Sequence, residues 1–155
     1  DSRGFAAGDY YVRVTLRDVA GDLLEQATRQ IRLGAFAAEV TALSAVPSPF
    51  SLGQPVSLSM EVKNTGDVEL TGSAVIEVHN PSGVVVQRFE HAFARLQPNG
   101  TLHFSDTWST AGLAPGTYTV VGDVHYESAV ASRALSIMAT GGAQVHLPIV
   151  VRGAR

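Results

Sequence analysis

The amino-acid sequence predicts an all-β protein, and three observations support this prediction. Apolar residues alternate with polar ones in several short segments, as they do in half-buried strands. No segment keeps the period of about 3.6 residues that marks an amphipathic helix. Clusters of Gly, Pro, Asn and Asp separate the alternating segments at short intervals. This spacing predicts an immunoglobulin-like antiparallel β-sandwich of about seven strands, with a closed all-β barrel as the structural alternative.

The alternation places these strands between residues 38 and 139. The clearest strand runs from Val56 to Lys63, and the sequence Asn-Thr-Gly-Asp at 64–67 ends it with residue types that favour turns. Trp108 follows Leu102 and Phe104 at even spacings, so the alternation places all three side chains on the same face of the strand. This favours a place for Trp108 in the core over stacking on a sugar. The predicted strands are 39–46, 56–63, 74–79, 84–93, 102–108, 118–126 and 129–138.

The sixth strand begins just after Pro115-Gly116, and Tyr118 lies near its start. In an immunoglobulin-like sandwich, a tyrosine at this place donates its hydroxyl proton to the backbone a few residues upstream and fixes the crossover between the sheets. We therefore expect Tyr118 to form such a tyrosine corner, although an ordinary core tyrosine would give the same pattern.

Three motifs follow one another in the chain: MEVKNTGDVEL, ARLQPNGTLHFSDTW and LAPGTYTVVGDVHY. They supply an Asn-x-Gly loop after the second strand, a proline turn before a strand that ends in Trp, and Gly-x-Tyr at the sixth strand. In order and spacing they resemble the bacterial cell-adhesion-related (CARDB-like) immunoglobulin-like domains of secreted and surface proteins. The turn at 96–100 is one residue longer than the usual Leu-x-Pro-Gly of that family. The resemblance covers 38–139 and implies a spacer or adhesion module without catalytic residues.

The start of the chain repeats part of this pattern. The segment FAAGDYYVRV matches LAPGTYTVVG at an offset of 108 positions. It predicts a β-hairpin with a turn at 19–22, whose first strand has one apolar face: Tyr10, Val12, Val14 and Leu16. The chain therefore divides into a terminal hairpin of an incomplete immunoglobulin-like domain (1–34), a complete sandwich (35–140), and a flexible joint with a C-terminal edge strand (141–155).

A two-stranded hairpin is not stable alone in water. Burial of each apolar side chain is worth roughly 1.5–3 kcal/mol, so we expect the apolar face to be covered. Three explanations stay open. The chain was cut from a longer tandem array, the hairpin folds back on the sandwich, or strands of another copy complete it.

The last segment, AQVHLPIVVRGAR, supplies a strand for such completion. Pro148 has no N–H to donate, so this strand belongs at a sheet edge. Its alternating apolar residues are Val145, Leu147, Ile149 and Val151. We hypothesise that it pairs with the hairpin of a neighbouring copy and gives head-to-tail polymers, the alternative being that it packs on its own domain. The expected partners are other copies of the chain or adjacent immunoglobulin-like domains.

Composition excludes several other classes of protein. The chain has 155 residues, a net charge of −3 and no basic run, unlike nucleic-acid-binding proteins. It has no cysteine, which excludes disulfides and thiolate metal sites. No run approaches the roughly 18 apolar residues of a membrane span. No motif indicates a cofactor, so none is expected.

The patterns of catalysis and ligand binding are weak. No serine lies in Gly-x-Ser-x-Gly and no glycine-rich phosphate loop precedes a helix, so we expect no enzyme activity. Asn99-Gly100-Thr101 matches a glycosylation acceptor, but Asn-Gly is also a favoured tight turn, and we prefer the turn. One outward face collects ligand types that suit zinc, and we expect it to be solvated and to hold no metal: Glu77, His79, Asp123, His125 and Glu127.

The sequence thus predicts a non-enzymatic structural protein of the bacterial cell surface or exterior. It would space, link or polymerise surface proteins through strand pairing, for example as a filament or surface-layer subunit. The alternative is a carbohydrate- or ligand-binding accessory domain of an adhesin or secreted hydrolase, with polysaccharide as its partner. That alternative needs exposed aromatic side chains, and the candidates form no obvious row: Tyr11, Phe36, Phe50, Phe89 and Phe93.

Overall fold

The computed structural model describes residues 5–141, which contain ten β-strands. The strands are β1 (Gly8–Arg17), β2 (Leu23–Leu33), β3 (Ala38–Val46), β4 (Phe50–Ser51), β5 (Val56–Asn64), β6 (Leu70–His79), β7 (Val85–Leu96), β8 (Thr101–Trp108), β9 (Gly116–Tyr126) and β10 (Ala129–Thr140). Within this part of the chain, no helix has the length and hydropathy of a membrane span. The expected C-terminal edge strand lies outside the described residues.

Eight of these strands form two sheets that pack face to face. One sheet has the strand order β4-β10-β9-β6-β7 and the other β3-β5-β8. Only the pairing of β4 with β10 is parallel. No strand of residues 5–141 pairs across the two sheets, so the barrel alternative is wrong and the predicted immunoglobulin-like sandwich is confirmed. The sequence did not predict β4, because a strand of two residues shows no alternation.

The core lies between the two sheets and follows the alternation of each strand. Every second residue of β5, from Val56 to Val62, is buried against inward residues of β6 and β9. At one end of the core three aromatic rings meet, with centroids 5.3, 5.5 and 5.9 Å apart: Phe50, Trp108 and Tyr118. Trp108 is only 1% exposed, so its ring has no free face for a sugar.

The hairpin β1–β2 forms a separate sheet of two strands. Tyr10 pairs with Ile31 and Val14 with Ala27, and neither strand pairs with any other strand of residues 5–141. Val14 is 64% exposed and Leu16 is 55% exposed. The hairpin therefore does not fold back on the sandwich, which removes one of the three explanations for its apolar face.

Candidate functional site

The free hairpin has the same pairing pattern as the β9–β10 hairpin of the sandwich. In both, a glycine opens the first strand and a tyrosine two residues later pairs with an isoleucine of the return strand. The hydroxyl of Tyr10 donates to the carbonyl oxygen of Ala6 at 2.7 Å, as Tyr118 donates to Ala114 at 2.8 Å. Both hairpins thus have the geometry of a tyrosine corner, a feature of the crossover between two sheets. The repeat in the sequence was the signal for the corner at Tyr10.

The β9–β10 hairpin is covered on three sides. Strand β6 pairs with the second edge of β9, and β4 pairs with the end of β10. The three-stranded sheet lies over its core face, where a Cβ added at Gly122 would lie 2.6 Å from the sulfur of Met60. Among residues 5–141 the free hairpin has none of these neighbours. Within the described residues, the hairpin thus lacks two kinds of neighbour that β9–β10 has: an antiparallel strand beside the first strand and an apolar sheet over the face with the tyrosine.

The two faces of the free hairpin differ in chemistry. We call the face with Tyr10 the open face; its apolar side chains are 46% exposed at Val12, 64% at Val14 and 42% at Ile31. A shallow cavity of about 320 Å³ lies on it, lined by Val14, Leu16, Glu25 and Ala27. Between the pairs Asp9–Arg32 and Thr15–Gln26, the opposite face is polar apart from Tyr11, with Asp9, Arg13, Thr15, Gln26, Thr28, Gln30 and Arg32. The open face is therefore the one that suits a sandwich core.

Two charged residues, Glu25 and Arg29, interrupt the open face on β2. The sandwich shows what an arginine can do at such a place. Arg133 of β10 reaches β3, where its guanidinium donates to the carbonyl oxygen of Thr41 at 2.6 Å beside a β-bulge. A guanidinium such as that of Arg29 is therefore compatible with a covering sheet that offers free carbonyl groups.

The tip of the hairpin is closed by local hydrogen bonds that fix its register. One carboxylate oxygen of Asp18 accepts from the backbone N–H groups of Ala20 and Asp22, at 2.9 and 2.8 Å. Arg17 donates to the carbonyl oxygen of Gly21 at 2.8 Å. The turn thus lies where the sequence predicted it, and it keeps apolar residues of both strands on the open face.

The hairpin and the end of β10 lie at opposite ends of the sandwich. Strand β3 starts next to the hairpin, and its far end leads into β4. The last residues of β10 pair with β4, since Ala139 lies opposite Phe50 and Thr140 opposite Ser51. The chain therefore enters the sandwich at one end and leaves it at the other. The assembly residues predicted at 145–151 lie beyond this exit, outside the described residues.

The five polar groups considered for zinc are spread along one sheet. β6 and β9 are neighbours, but their register places His79 opposite Thr119 and His125 opposite Ser73, several residues apart. Glu77 contacts Arg88 at 3.2 Å, and Asp123 accepts from Ser132 at 2.5 Å. Glu127 lies beyond the end of β9 in the turn to β10. Within residues 5–141, no three such side chains are grouped to hold a metal ion.

The glycosylation motif and the aromatic residues considered for sugar stacking lie apart from one another. Asn99 is exposed in a tight turn with a φ of 61°, and Gly100 N–H donates to Gln97 at 2.8 Å. Of the aromatic candidates for sugar stacking, Phe50 and Phe93 are buried and Phe89 is half-buried. The exposed ones are separate, Tyr11 on the hairpin and Phe36 between the hairpin and β3.

No family model and no curated protein sequence matches the chain. Solved structures do share its fold. The C-terminal domain of Wzt is 11% identical, with a TM-score of 0.54, over 79% of this chain and 88% of that chain. The sporulation control protein Spo0M of Bacillus subtilis is 15% identical, with a TM-score of 0.53, over 66% of this chain and 49% of that chain. A CARDB domain from Pyrococcus furiosus, in complex with di-metal ions, is 13% identical, with a TM-score of 0.47, over 69% of this chain and 89% of that chain.

At these identities the similarity extends to the fold alone, and the chain spans about half of Spo0M. The described residues thus form an immunoglobulin-like β-sandwich and a second pair of strands that no other part of residues 5–141 covers.

Proposed function

We propose that the chain is a non-enzymatic, CARDB-like module of the bacterial exterior or cell surface. In this proposal it spaces, links or polymerises surface proteins by β-strand pairing at its ends. The observation that carries the proposal is the free hairpin, which repeats the register and the tyrosine corner of β9–β10 but, within residues 5–141, has an unpaired edge and an exposed apolar face. Two strands with these features belong to a sandwich that other strands must complete.

The partner we propose is an adjacent immunoglobulin-like domain or another copy of the chain. The positions of the hairpin and of the β10 exit, at opposite ends of the sandwich, suit end-to-end assembly. The alternating segment at 145–151 supplies an edge strand for the neighbour's β1. Such a head-to-tail contact does not close on itself, so it extends into linear polymers.

The apolar open face supplies the driving force in this proposal. The exposed fraction is 46% at Val12, 64% at Val14 and 55% at Leu16. Full burial of an apolar side chain of this size is worth roughly 1.5–3 kcal/mol, of which about half remains to be gained at each of these half-exposed positions. Apolar burial does not fix the orientation of the incoming strand. Backbone pairing along β1 would do so, because it fixes the register of that strand.

The test uses the 155-residue chain at increasing concentration. Deletion of residues 143–155, or Val14→Asp on the open face, should weaken self-association by at least about tenfold, because each removes apolar burial from the contact. Thr15→Asp on the opposite face is the matched control and should change nothing. Light scattering and electron microscopy measure the outcome. Monomers at every concentration would contradict polymerisation, and assembly that survives both changes would contradict the proposed contact through the open face. Binding in a glycan-array screen would favour the accessory-domain alternative.

A further inference from the structure

The loop after β5 holds the segment that connects the hairpin to the sandwich. We call residues 64–68 the joint loop and residues 34–37 the linker. The carbonyl oxygen of Ala37 accepts from the N–H groups of Thr65 and Gly66, at 3.0 and 3.1 Å. The carbonyl oxygen of Ala35 accepts from the N–H of Asp67 at 3.1 Å, and the N–H of Ala35 donates to the Asp67 carboxylate. Two of the four linker residues, Ala35 and Ala37, are therefore hydrogen-bonded to the joint loop.

The joint loop is itself anchored in the sandwich by a buried side chain. Asn64 has no exposed surface, and its amide nitrogen donates to Val68 and to Leu96, both at 2.8 Å. Its amide oxygen accepts from the N–H of Gly66 at 2.9 Å. The bond to Leu96 ties the loop to the end of β7. Because a buried amide without partners is costly, this arrangement resists rearrangement of the loop.

Two glycines allow the loop and the linker to approach each other closely. A Cβ at Gly66 would overlap the carbonyl oxygen of Ala35, and a Cβ at Gly34 would overlap the side chain of Val68. Arg32, at the end of β2, adds a surface ion pair to Asp67 at 3.4 Å. That pair is exposed and contributes little, so the backbone bonds and the Ala35–Asp67 bond dominate the contact.

We propose that the joint loop and the linker form a rigid joint, with Asp67 as its positioning residue. The joint fixes the direction in which β2 leaves the sandwich, and with it the direction of any domain that includes the hairpin. A four-residue linker without these bonds would let two units swing freely. This inference goes beyond the proposed function, because the joint depends only on contacts within one chain.

The test compares the full chain with Asp67→Ala and Asp67→Asn. The N–H of Ala35 should be protected from hydrogen exchange in the parent chain, and exchange roughly tenfold to a hundredfold faster in Asp67→Ala, as expected when a hydrogen bond to a charged group is lost. Asp67→Asn keeps an acceptor oxygen and should lie between the two. Glu69→Ala is the control, because this neighbouring carboxylate accepts from the side chain of Gln97 and not from the linker within residues 5–141.

Backbone ¹⁵N relaxation of residues 34–37 gives a second readout. The linker should be as rigid as β5 in the parent chain and more mobile at residues 34 and 35 in Asp67→Ala, where the bond to the carboxylate is lost, while the spectrum of the sandwich stays unchanged. A linker that is mobile in the parent chain, or as rigid in Asp67→Ala as in the parent, would overturn the proposal. The same relaxation measurement on the chain lacking residues 143–155, which should be monomeric, tests the rigidity of the linker without self-association. A failure of the rigid joint can then be told apart from a failure of assembly.

Discussion

The burial of one tyrosine, and not its hydrogen bond, distinguishes the covered hairpin from the uncovered one. Tyr118 is 1% exposed and its hydroxyl bonds Ala114 within the sandwich, whereas Tyr10 makes the same bond on an exposed hairpin. Tyr118→Phe should lower the free energy of unfolding of the sandwich by about 0.5–1.5 kcal/mol, because a neutral hydrogen bond is lost. Tyr10→Phe should leave it unchanged, since the hairpin does not pack on the sandwich.

Denaturation followed by the fluorescence of Trp108 measures both variants, because this tryptophan lies in the core with its ring centroid 5.5 Å from that of Tyr118. Equal losses in the two variants would show that the hairpin unfolds together with the sandwich.

The sequence reveals a side chain that hydrogen-bonds the backbone only when the two partners are close in the chain. Tyr118 could be singled out because its acceptor lies four residues upstream, after a Pro-Gly turn. Asp67 could not, since Ala35 lies 32 positions away, and Arg133 could not, since Thr41 lies 92 positions away. Nothing local in the sequence marks a carboxylate or a guanidinium that binds distant backbone.

Between the elements, one histidine connects the edges of the two sheets. His91 of β7 contacts Asp106 of β8 at 2.8 Å and stacks on Phe104 with ring centroids 5.1 Å apart. His91→Ala should lower the free energy of unfolding by roughly 1–3 kcal/mol, because it removes both the hydrogen bond and the stacking.

The matched control for this variant is His103→Ala on β8. The side chain of His103 is 74% exposed and lies 3.5 Å from Glu61, so its loss should have almost no effect on stability. Thermal or urea denaturation of the two variants gives the comparison. Similar losses at the two positions would mean that the contact between the sheet edges contributes nothing of its own.

Element by element, the alternation of residues predicted the strands but not their register. Every strand predicted within residues 5–141 is present, and β5 and β9 bury the residues that the period of two indicates. The register between β6 and β9 separates His79 from His125, a distance that depends on pairing and not on the pattern of either strand. The sequence could therefore place the five polar groups on one face but could not say whether they meet.

At the scale of the whole molecule, the hairpin and the sandwich should differ in stability. An isolated two-stranded hairpin is marginal in water, whereas the sandwich buries a continuous core. In the chain lacking residues 143–155, the amides of β1 and β2 should exchange with solvent close to unprotected rates. The amides of Met60 and Ile76, in the centre of the sandwich, should exchange only on global unfolding, which costs about 5–15 kcal/mol in a typical domain.

The same experiment on the full chain at high concentration tests completion of the hairpin. A strand beside β1 and a cover on the open face would remove the hairpin amides from solvent, so their exchange should slow while that of Met60 and Ile76 stays the same. Val14→Asp should abolish this slowing, because it places a charge within the contact, and Thr15→Asp should preserve it. Hairpin amides that are already protected in the monomer would show that two strands are stable without a partner, and the need for a covering neighbour would disappear.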